Sequence, residues 1–331
     1  MGDLRPLQAY TDRKSIYSGP FCDIYKCKTT SQETVALKVV DLDFLHKPHN
    51  FRREVAFMQR LSHPNIARFI DSFACGEDHY MVMDYYELDL NSVLAHFSTQ
   101  RMKFNLEDPT KYHVVKTNGL PTDEIGPMVW SLVRALEFVH KSGIIHRDIK
   151  PANIFFKNLD SLGSPVIGDF GISYDTRNPP SDEPSDKKYT DVCTGYYKAP
   201  ELCFGVTDYD FSIDYWSLGI LLSVLYSRDG NPANFVKADP DDPDKSPEIN
   251  DFVLILGIFN AFGTPDIVDS SSELYWEKLG REEYHFVKFQ YRAQPRKLTG
   301  ALIPRCDDHD IQALFEGLTK YDGRKLIGPP K

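Results

Sequence analysis

The sequence predicts an α+β fold in which a small, β-rich N-terminal lobe precedes a larger helical C-terminal lobe. Residues 15–40 alternate apolar and polar side chains and contain many β-branched and aromatic types, which indicates strands joined by turns. Residues 51–61, 124–141 and 252–262 instead carry apolar side chains in runs and spacings typical of helices. A chain of 331 residues is long enough for two such lobes, each with its own core.

The charge balance is acidic, with 38 Lys and Arg against 48 Asp and Glu and a net charge of −10. This balance does not favour a nucleic-acid or acidic-membrane partner, whereas it suits a basic protein substrate; solubility alone would also account for it. The longest apolar runs, at 220–225 and 252–262, are too short to span a bilayer. We therefore expect a soluble protein with no nucleic-acid or membrane partner.

The cysteines indicate neither a disulfide framework nor a metal site. There are six, without CxxC spacing, and the first residues of the chain, MGDLRP, form no apolar signal core. We expect reduced thiols in a cytoplasmic or nuclear protein.

The chemistry-bearing residues are concentrated in two stretches, HRDIKPAN at 146–153 and DFG at 169–171. These stretches resemble the catalytic and metal-binding loops of eukaryotic protein kinases. In phosphoryl transfer, one carboxylate accepts the substrate hydroxyl proton, while a second carboxylate and a carboxamide oxygen hold Mg²⁺. The resemblance assigns these roles to Asp148, Asp169 and Asn153.

Three further motifs stand in kinase order around these stretches: VALK at 35–38, APE at 199–201 and IDYWSLG at 213–219. A single HRD or DFG tripeptide is more often a turn with a solvated aspartate, but the ordered set is specific. The resemblance implies one bilobal protein kinase domain. Residues 1–86 would form its N-lobe and hinge, and residues 87–331 its C-lobe.

The resemblance also implies the residues that act with the base Asp148. Lys38, expected at the end of a strand, would contact the ATP phosphates. Glu54, sixteen residues later on a helix, would pair with it, although a surface glutamate is the alternative. Thr194 would touch both Asp148 and Lys150, as in serine/threonine kinases.

The glycine-rich loop of kinases is degenerate here, reading YSGPFCDI at 17–24, so that only Gly19 survives. Glycine permits a close backbone approach to phosphate. Tyr17 and Cys22 should therefore hold this lid further off or in another path, and Pro20 stiffens it.

The adenine pocket is implied by family position. After the apolar stretch 80–83, the backbones of Asp84 and Tyr86 would bond adenine, with Met83 as gatekeeper. Asp89 would reach the ribose or cap the following helix. The implied ATP-binding residues are Ile16, Gly19, Ile24, Ala36, Lys38, Met83, Asp84, Tyr86, Asp89 and Phe155.

Two insertions interrupt the kinase pattern, at about 98–122 and 228–250. We expect the first to be an unspecialised surface loop rather than a docking element. The second contains the acidic, proline-rich stretch 239–244, which is either a solvated disordered loop or an electrostatic docking surface. Near the C-terminus, the spacing before Arg324 is shorter than usual, so its pairing with Glu201 stays open.

The sequence in and around these motifs indicates a narrower group of protein kinases. Residues 169–175, 190–201 and 48–50, with the lost loop glycines, are similar to the fungal single-subunit CDK-activating kinases, within the CDK-like branch. This resemblance implies a monomer that phosphorylates the activation-loop threonine of cyclin-dependent kinases (CDKs) and needs no cyclin. Lys198 replaces the arginine by which CDKs select a following proline, and the activation-loop threonines of CDKs lack that proline.

Two other functions remain open from the sequence. The chain would be an ordinary CDK with a degenerate loop if its activity depended on a cyclin. It would be a pseudokinase scaffold if the loop were essential, which the intact base, metal ligands and phosphate lysine argue against.

The activation loop at 172–198 lacks the usual activating threonine, because Tyr189 stands in its place. We expect Asp191 either to give Arg147 a permanent carboxylate in place of phosphate or to be merely solvated. Thr190 is the residual candidate for modification.

Overall fold

The first part of the chain folds into a five-stranded antiparallel sheet, and the remainder is mostly helical. The computed structural model describes residues 5–104, 112–236, 249–288 and 290–328. The sheet has the strand order β1-β2-β3-β5-β4. Its strands are β1 Tyr10–Ser18, β2 Asp23–Thr29, β3 Thr34–Asp41, β4 Phe69–Cys75 and β5 Asp78–Asp84, preceded by the short helix α1 Arg5–Gln8.

One helix, α2 Phe51–Arg60, accompanies the sheet. Asn50 caps it by accepting a hydrogen bond from the Arg53 N–H at 2.9 Å, which satisfies one of the free donors of the first turn. Phe57 and Met58 are buried, so the apolar face of α2 packs inward and carries Glu54 with it. The predicted helix at 51–61 is confirmed to within one residue.

The C-terminal part is built around α6, Ser212–Leu225, in which almost every side chain is buried. Trp216 at its centre is wholly enclosed. The other helices are α3 Leu90–Phe97, α4 Thr122–Lys141, α5 Pro200–Cys203, α7 Asp251–Phe262, α8 Thr299–Leu302 and α9 His309–Leu318.

Short elements complete the C-terminal part and position its loops. The strands are β6 Leu88–Asp89, β7 Ser98–Phe104, β8 Tyr112–Asn118, β9 Ile144–Ile145, β10 Ile154–Phe156, β11 Val166–Ile167 and β12 Tyr174–Asp175. The 3-10 turns are Leu42–Phe44, Pro151–Asn153, Leu159–Ser161, Gly195–Tyr197, Glu277–Gly280 and His285–Lys288. The predicted α+β bilobal architecture is confirmed.

No helix in the described parts of the chain combines the length and apolar content that crossing a membrane requires.

The first insertion is not an irregular loop, so that expectation is wrong. β7 and β8 pair as an antiparallel hairpin with Ser98 opposite Asn118. The Asn118 side-chain amide donates to the carbonyls of Val224, Leu225 and Ser227 at 3.0–3.2 Å, which ties the base of the hairpin to the end of α6. The acidic stretch 239–244 of the second insertion lies outside the described residues.

Glu201 and Arg324 are paired, which answers the question that their sequence spacing left open. Arg324 Nη1 lies 2.5 Å from Glu201 Oε1, and both side chains are almost completely buried. The Arg324 guanidinium also stacks on Trp216, 4.9 Å from the ring centre. The pair therefore ties the end of the chain to α5 and α6.

Replacing Arg324 with alanine should leave the Glu201 carboxylate buried without a cation. We expect the free energy of unfolding to fall by about 3–5 kcal/mol. The control is Arg281→Ala, because Arg281 and Glu283 are both more than half exposed and 3.8 Å apart; it should cost less than about 1 kcal/mol. Urea unfolding followed by tryptophan fluorescence measures both, and equal losses would contradict the buried pair.

Candidate active site

The catalytic loop is held from below by Asp214 of α6. Its carboxylate accepts the backbone N–H groups of His146 and Arg147, each at 2.8 Å, and contacts His140 Nε2 at 2.8 Å. Asp214 is fully buried. Burial acts to raise the pKa of Asp214, but the interactions with His140 and His146 outweigh this effect and lower it. The loop is thus fixed by an ionised carboxylate in the core.

Asp148 lies at the centre of a hydrogen-bonded network. The Asn153 amide donates to its Oδ2 at 2.9 Å and to its carbonyl at 2.8 Å. The Thr194 hydroxyl donates to Oδ1 at 2.7 Å. Lys150 Nζ lies 2.8 Å from both Asp148 Oδ2 and Thr194 Oγ1. The structure therefore brings together the four side chains that the motifs singled out.

Lys38 bridges the two lobes by contacting two carboxylates. Its Nζ lies 2.7 Å from Glu54 Oε1 and 3.3 Å from Asp169 Oδ1. Lys38 stands in the middle of β3 and not at its end, as the sequence suggested. Burial works to lower the pKa of Lys38, but Glu54 and Asp169 raise it above its usual value, so the ammonium keeps its charge.

Asp169 has the donor chemistry of a Mg²⁺ ligand. Burial acts to raise the pKa of Asp169, but the charge of Lys38 outweighs this effect and lowers the pKa to about 2. The carboxylate is therefore ionised at neutral pH. The side-chain nitrogen of Asn153 donates to Asp148, so the side-chain oxygen of Asn153 is available as a neutral metal ligand. The described residues contain no cluster of three His, Cys, Asp or Glu suited to a metal. Two oxygen donors of this kind fit Mg²⁺ shared with phosphates.

A cavity of about 910 Å³ separates the lobes and contains this machinery. Ile16 and Ile24 of the N-terminal sheet form part of its wall, and Phe155 of β10 lies in it from the C-terminal side. The remaining predicted nucleotide residues that line it are Ala36, Lys38, Met83, Asp84, Tyr86 and Asp89.

Gly19 is the exception, because it does not line the cavity. Its N–H donates to the Cys22 carbonyl at 3.0 Å, so it closes the turn between β1 and β2. Its role as a nucleotide contact stays a prediction. Asp89 caps α3 by accepting the Ser92 N–H at 2.8 Å, and it also lines the cavity.

The degenerate lid takes another path and does not stand off from the cleft. Phe21 at its tip stacks on His49, with ring centres 4.2 Å apart. Asn50, which follows His49 in the chain, donates its N–H to the Gly171 carbonyl at 2.9 Å. Tyr17 and Cys22 line the cavity below this contact. The lid is thereby connected to the metal-binding loop.

Arg147 has a partner that the sequence did not reveal. Its guanidinium donates to both carboxylate oxygens of Glu183, and both side chains are buried. Asp191 is exposed, so of the two alternatives that the sequence left open, the solvated one holds. Several acidic residues occur between 182 and 191, and nothing in their spacing marks the one that is buried.

Comparison with known proteins agrees with this geometry. Residues 10–232 match the protein kinase domain. Serine/threonine-protein kinase CAK1 of Saccharomyces cerevisiae is 36% identical over 74% of this chain and 74% of its own. Serine/threonine-protein kinase csk1 of Schizosaccharomyces pombe is 27% identical, with 95% and 90% covered. Cyclin-dependent kinase D-1 of Arabidopsis thaliana is also 27% identical, with 96% and 68% covered.

The domain match spans more than half of the chain, and it includes the Lys38–Glu54 pair and the network around Asp148. The chain belongs to the protein kinase family and is an ATP-dependent serine/threonine protein kinase.

Proposed function

We propose that this kinase is a CDK-activating kinase, which transfers the γ-phosphoryl group of ATP to the activation-loop threonine of a CDK. It acts as a monomer without cyclin. The observation that carries the proposal is the contact of Lys38 with Glu54 and Asp169, because kinase activity requires all three in place. In this protein the set is assembled by residues of one chain.

The substrate hydroxyl lies against Asp148. As the hydroxyl oxygen attacks the γ-phosphorus and ADP leaves, Asp148 accepts the hydroxyl proton. Lys150 and Thr194 hold the Asp148 carboxylate in one orientation through bonds of 2.7–2.8 Å. Because contacts within the protein fix this orientation, little reorganisation is needed in the transition state.

The nucleotide is held by groups on both sides of the cleft. Lys38 binds the α- and β-phosphates, and the backbones of Asp84 and Tyr86 receive adenine behind Met83. Asp169 and Asn153 would hold Mg²⁺, which when bound neutralises charge on the transferred phosphoryl group.

The choice of a protein substrate follows from the segment before α5. Lys198 replaces the arginine with which CDKs select a following proline, and its Nζ is bonded to Asp251 of α7 at 2.7 Å. With this cation already paired, selection for proline is weakened. The activation-loop threonine of CDKs, which lacks that proline, fits such a site.

Substituting Asp148→Asn, Asp169→Asn or Lys38→Arg should each lower kcat/KM by about 10³-fold or more, because base, metal ligand and phosphate contact act as a unit. Thermal unfolding should stay near that of the wild type. The control is Glu137→Gln, which removes only a surface pair with Lys141. Transfer is measured with Mg²⁺ as the sole metal, and full activity of Asp169→Asn would refute its role.

Restoring glycine at Tyr17 and Cys22 together should change ATP affinity severalfold and leave the KM for the protein substrate nearly unchanged, because both positions line the nucleotide cavity. Phe21→Ala, which removes the stacking on His49, should weaken ATP binding. Calorimetric titration with ATP and Mg²⁺ measures both effects. Unaltered ATP affinity in both variants would show that residues 17–22 are not the phosphate lid.

The substrate assignment is tested with protein made in bacteria, treated with phosphatase and checked by mass spectrometry. We expect the purified kinase to phosphorylate a CDK when no cyclin is added. A CDK whose activation-loop threonine is replaced by alanine should stay unmodified. The elution volume should be that of a monomer. Activity that arises only after a cyclin is added would identify an ordinary CDK instead.

A further inference from the structure

The Arg147–Glu183 ion pair joins the catalytic loop to the activation segment and is shielded from solvent. The side chain of Arg147 is 0% exposed and that of Glu183 is 2% exposed. Arg147 Nη1 donates to Glu183 Oε1 and Nη2 donates to Oε2, which is the bidentate arrangement that arginine and carboxylate groups prefer. Breaking one side of such a pair leaves an uncompensated charge in the interior.

Arg147 connects this pair to the reacting groups. It directly precedes Asp148 and has a backbone φ of +69°, a conformation that is unfavourable for a side-chain-bearing residue. Its Nε donates to the Ile172 carbonyl at 2.6 Å, immediately after the metal-binding loop. A displaced guanidinium would therefore disturb the base and the metal ligand loop together.

Glu183 also holds the segment that leads to the substrate site. Its Oε1 accepts the backbone N–H of Tyr189 at 3.0 Å. The Tyr189 carbonyl in turn accepts the Tyr209 hydroxyl at 2.7 Å, and Tyr209 itself contacts Arg147 at 3.1 Å. Five residues after Tyr189 the chain reaches Thr194, which bonds Asp148.

Arg147 is the cation that bonds Glu183 directly. The Tyr209 hydroxyl and the Tyr174 ring, 5.3 Å away, also lie against its guanidinium. A second cation, Lys188, lies over the same two rings, and its ammonium donates to the Ser185 carbonyl. Glu183 therefore lies among positive charges and pairs with one of them.

We propose that Glu183 is a positioning residue that does permanently what a phosphorylated activation-loop residue does in other kinases. Acting through Arg147, it holds the catalytic loop and the segment 183–194 in the arrangement that accepts a protein substrate. This inference rests on the kinase function proposed above and adds the means by which the loop is kept ordered.

The test compares Glu183→Gln and Glu183→Asp with Asp186→Asn, which removes an exposed carboxylate from the same loop. We expect Glu183→Gln to lower kcat by about 100-fold with little change in the KM for ATP, since the nucleotide contacts lie elsewhere. Glu183→Asp should recover much of the loss, and Asp186→Asn should match the wild type. A Glu183→Gln enzyme with wild-type kcat would overturn the inference.

A double-mutant cycle with Arg147→Gln shows whether Glu183 acts through this arginine. We expect the double variant to be no less active than the Arg147→Gln variant, because the interaction with Glu183 is already lost once Arg147 is replaced. Losses that multiply would refute the link. Near-ultraviolet circular dichroism confirms the fold of each variant, and if Glu183→Gln does not fold, the cycle is run with Glu183→Asp.

The controls separate this inference from the proposed function. All variants are dephosphorylated and assayed on the same CDK. A wild-type enzyme that fails to phosphorylate the CDK would count against the proposed function. A wild-type enzyme that succeeds, beside a Glu183→Gln enzyme that succeeds equally, would count against Glu183 alone.

Discussion

The carboxylate of Asp214 holds the catalytic loop in a backbone conformation that the loop would not keep by itself. Arg147 has a φ of +69°, and this strained residue is retained because its N–H and that of His146 both donate to the buried carboxylate at 2.8 Å. The carboxylate belongs to α6, which is enclosed by the C-terminal core. Core packing therefore decides where two adjacent side chains go, with Asp148 reaching the cleft and Arg147 reaching the activation segment.

Each of the two lysines in the cleft is ordered by a carboxylate. Lys38 lies between Glu54 and Asp169, which are 16 and 131 residues away. Lys150 contacts Asp148 at 2.8 Å. Pairing keeps long, flexible side chains in place, and it leaves them charged in surroundings that would otherwise favour neutrality. Contacts within the protein thus hold these charges in fixed positions, which is the condition under which electrostatic stabilisation of a transition state is most effective.

The sequence predicted what depends on short spacings and failed where distant contacts decide. Asp148 and Asp169 stand in ordered motifs, so the sequence alone predicted that they belong to one site, and the structure places both in the cleft. Gly19 was placed at the nucleotide by family position, but the sequence does not determine the path of its turn, which keeps Gly19 off the cavity wall. The pairing of 98–104 with 112–118 was missed because most of the side chains whose burial the structure describes in these strands are exposed, so no buried face produces a strong alternation. The register with Asn118 depends on contacts with α6, more than a hundred residues later.

The choice between Glu183 and Asp191 shows the same limit and has a consequence for control. Both are acidic residues of one polar loop, and only the folded path brings Glu183 beneath Arg147, 36 residues away in sequence. A phosphate carries about two charges and can be removed by a phosphatase, whereas a glutamate carries one and is permanent. An activation segment held by Glu183 is not switched off by dephosphorylation.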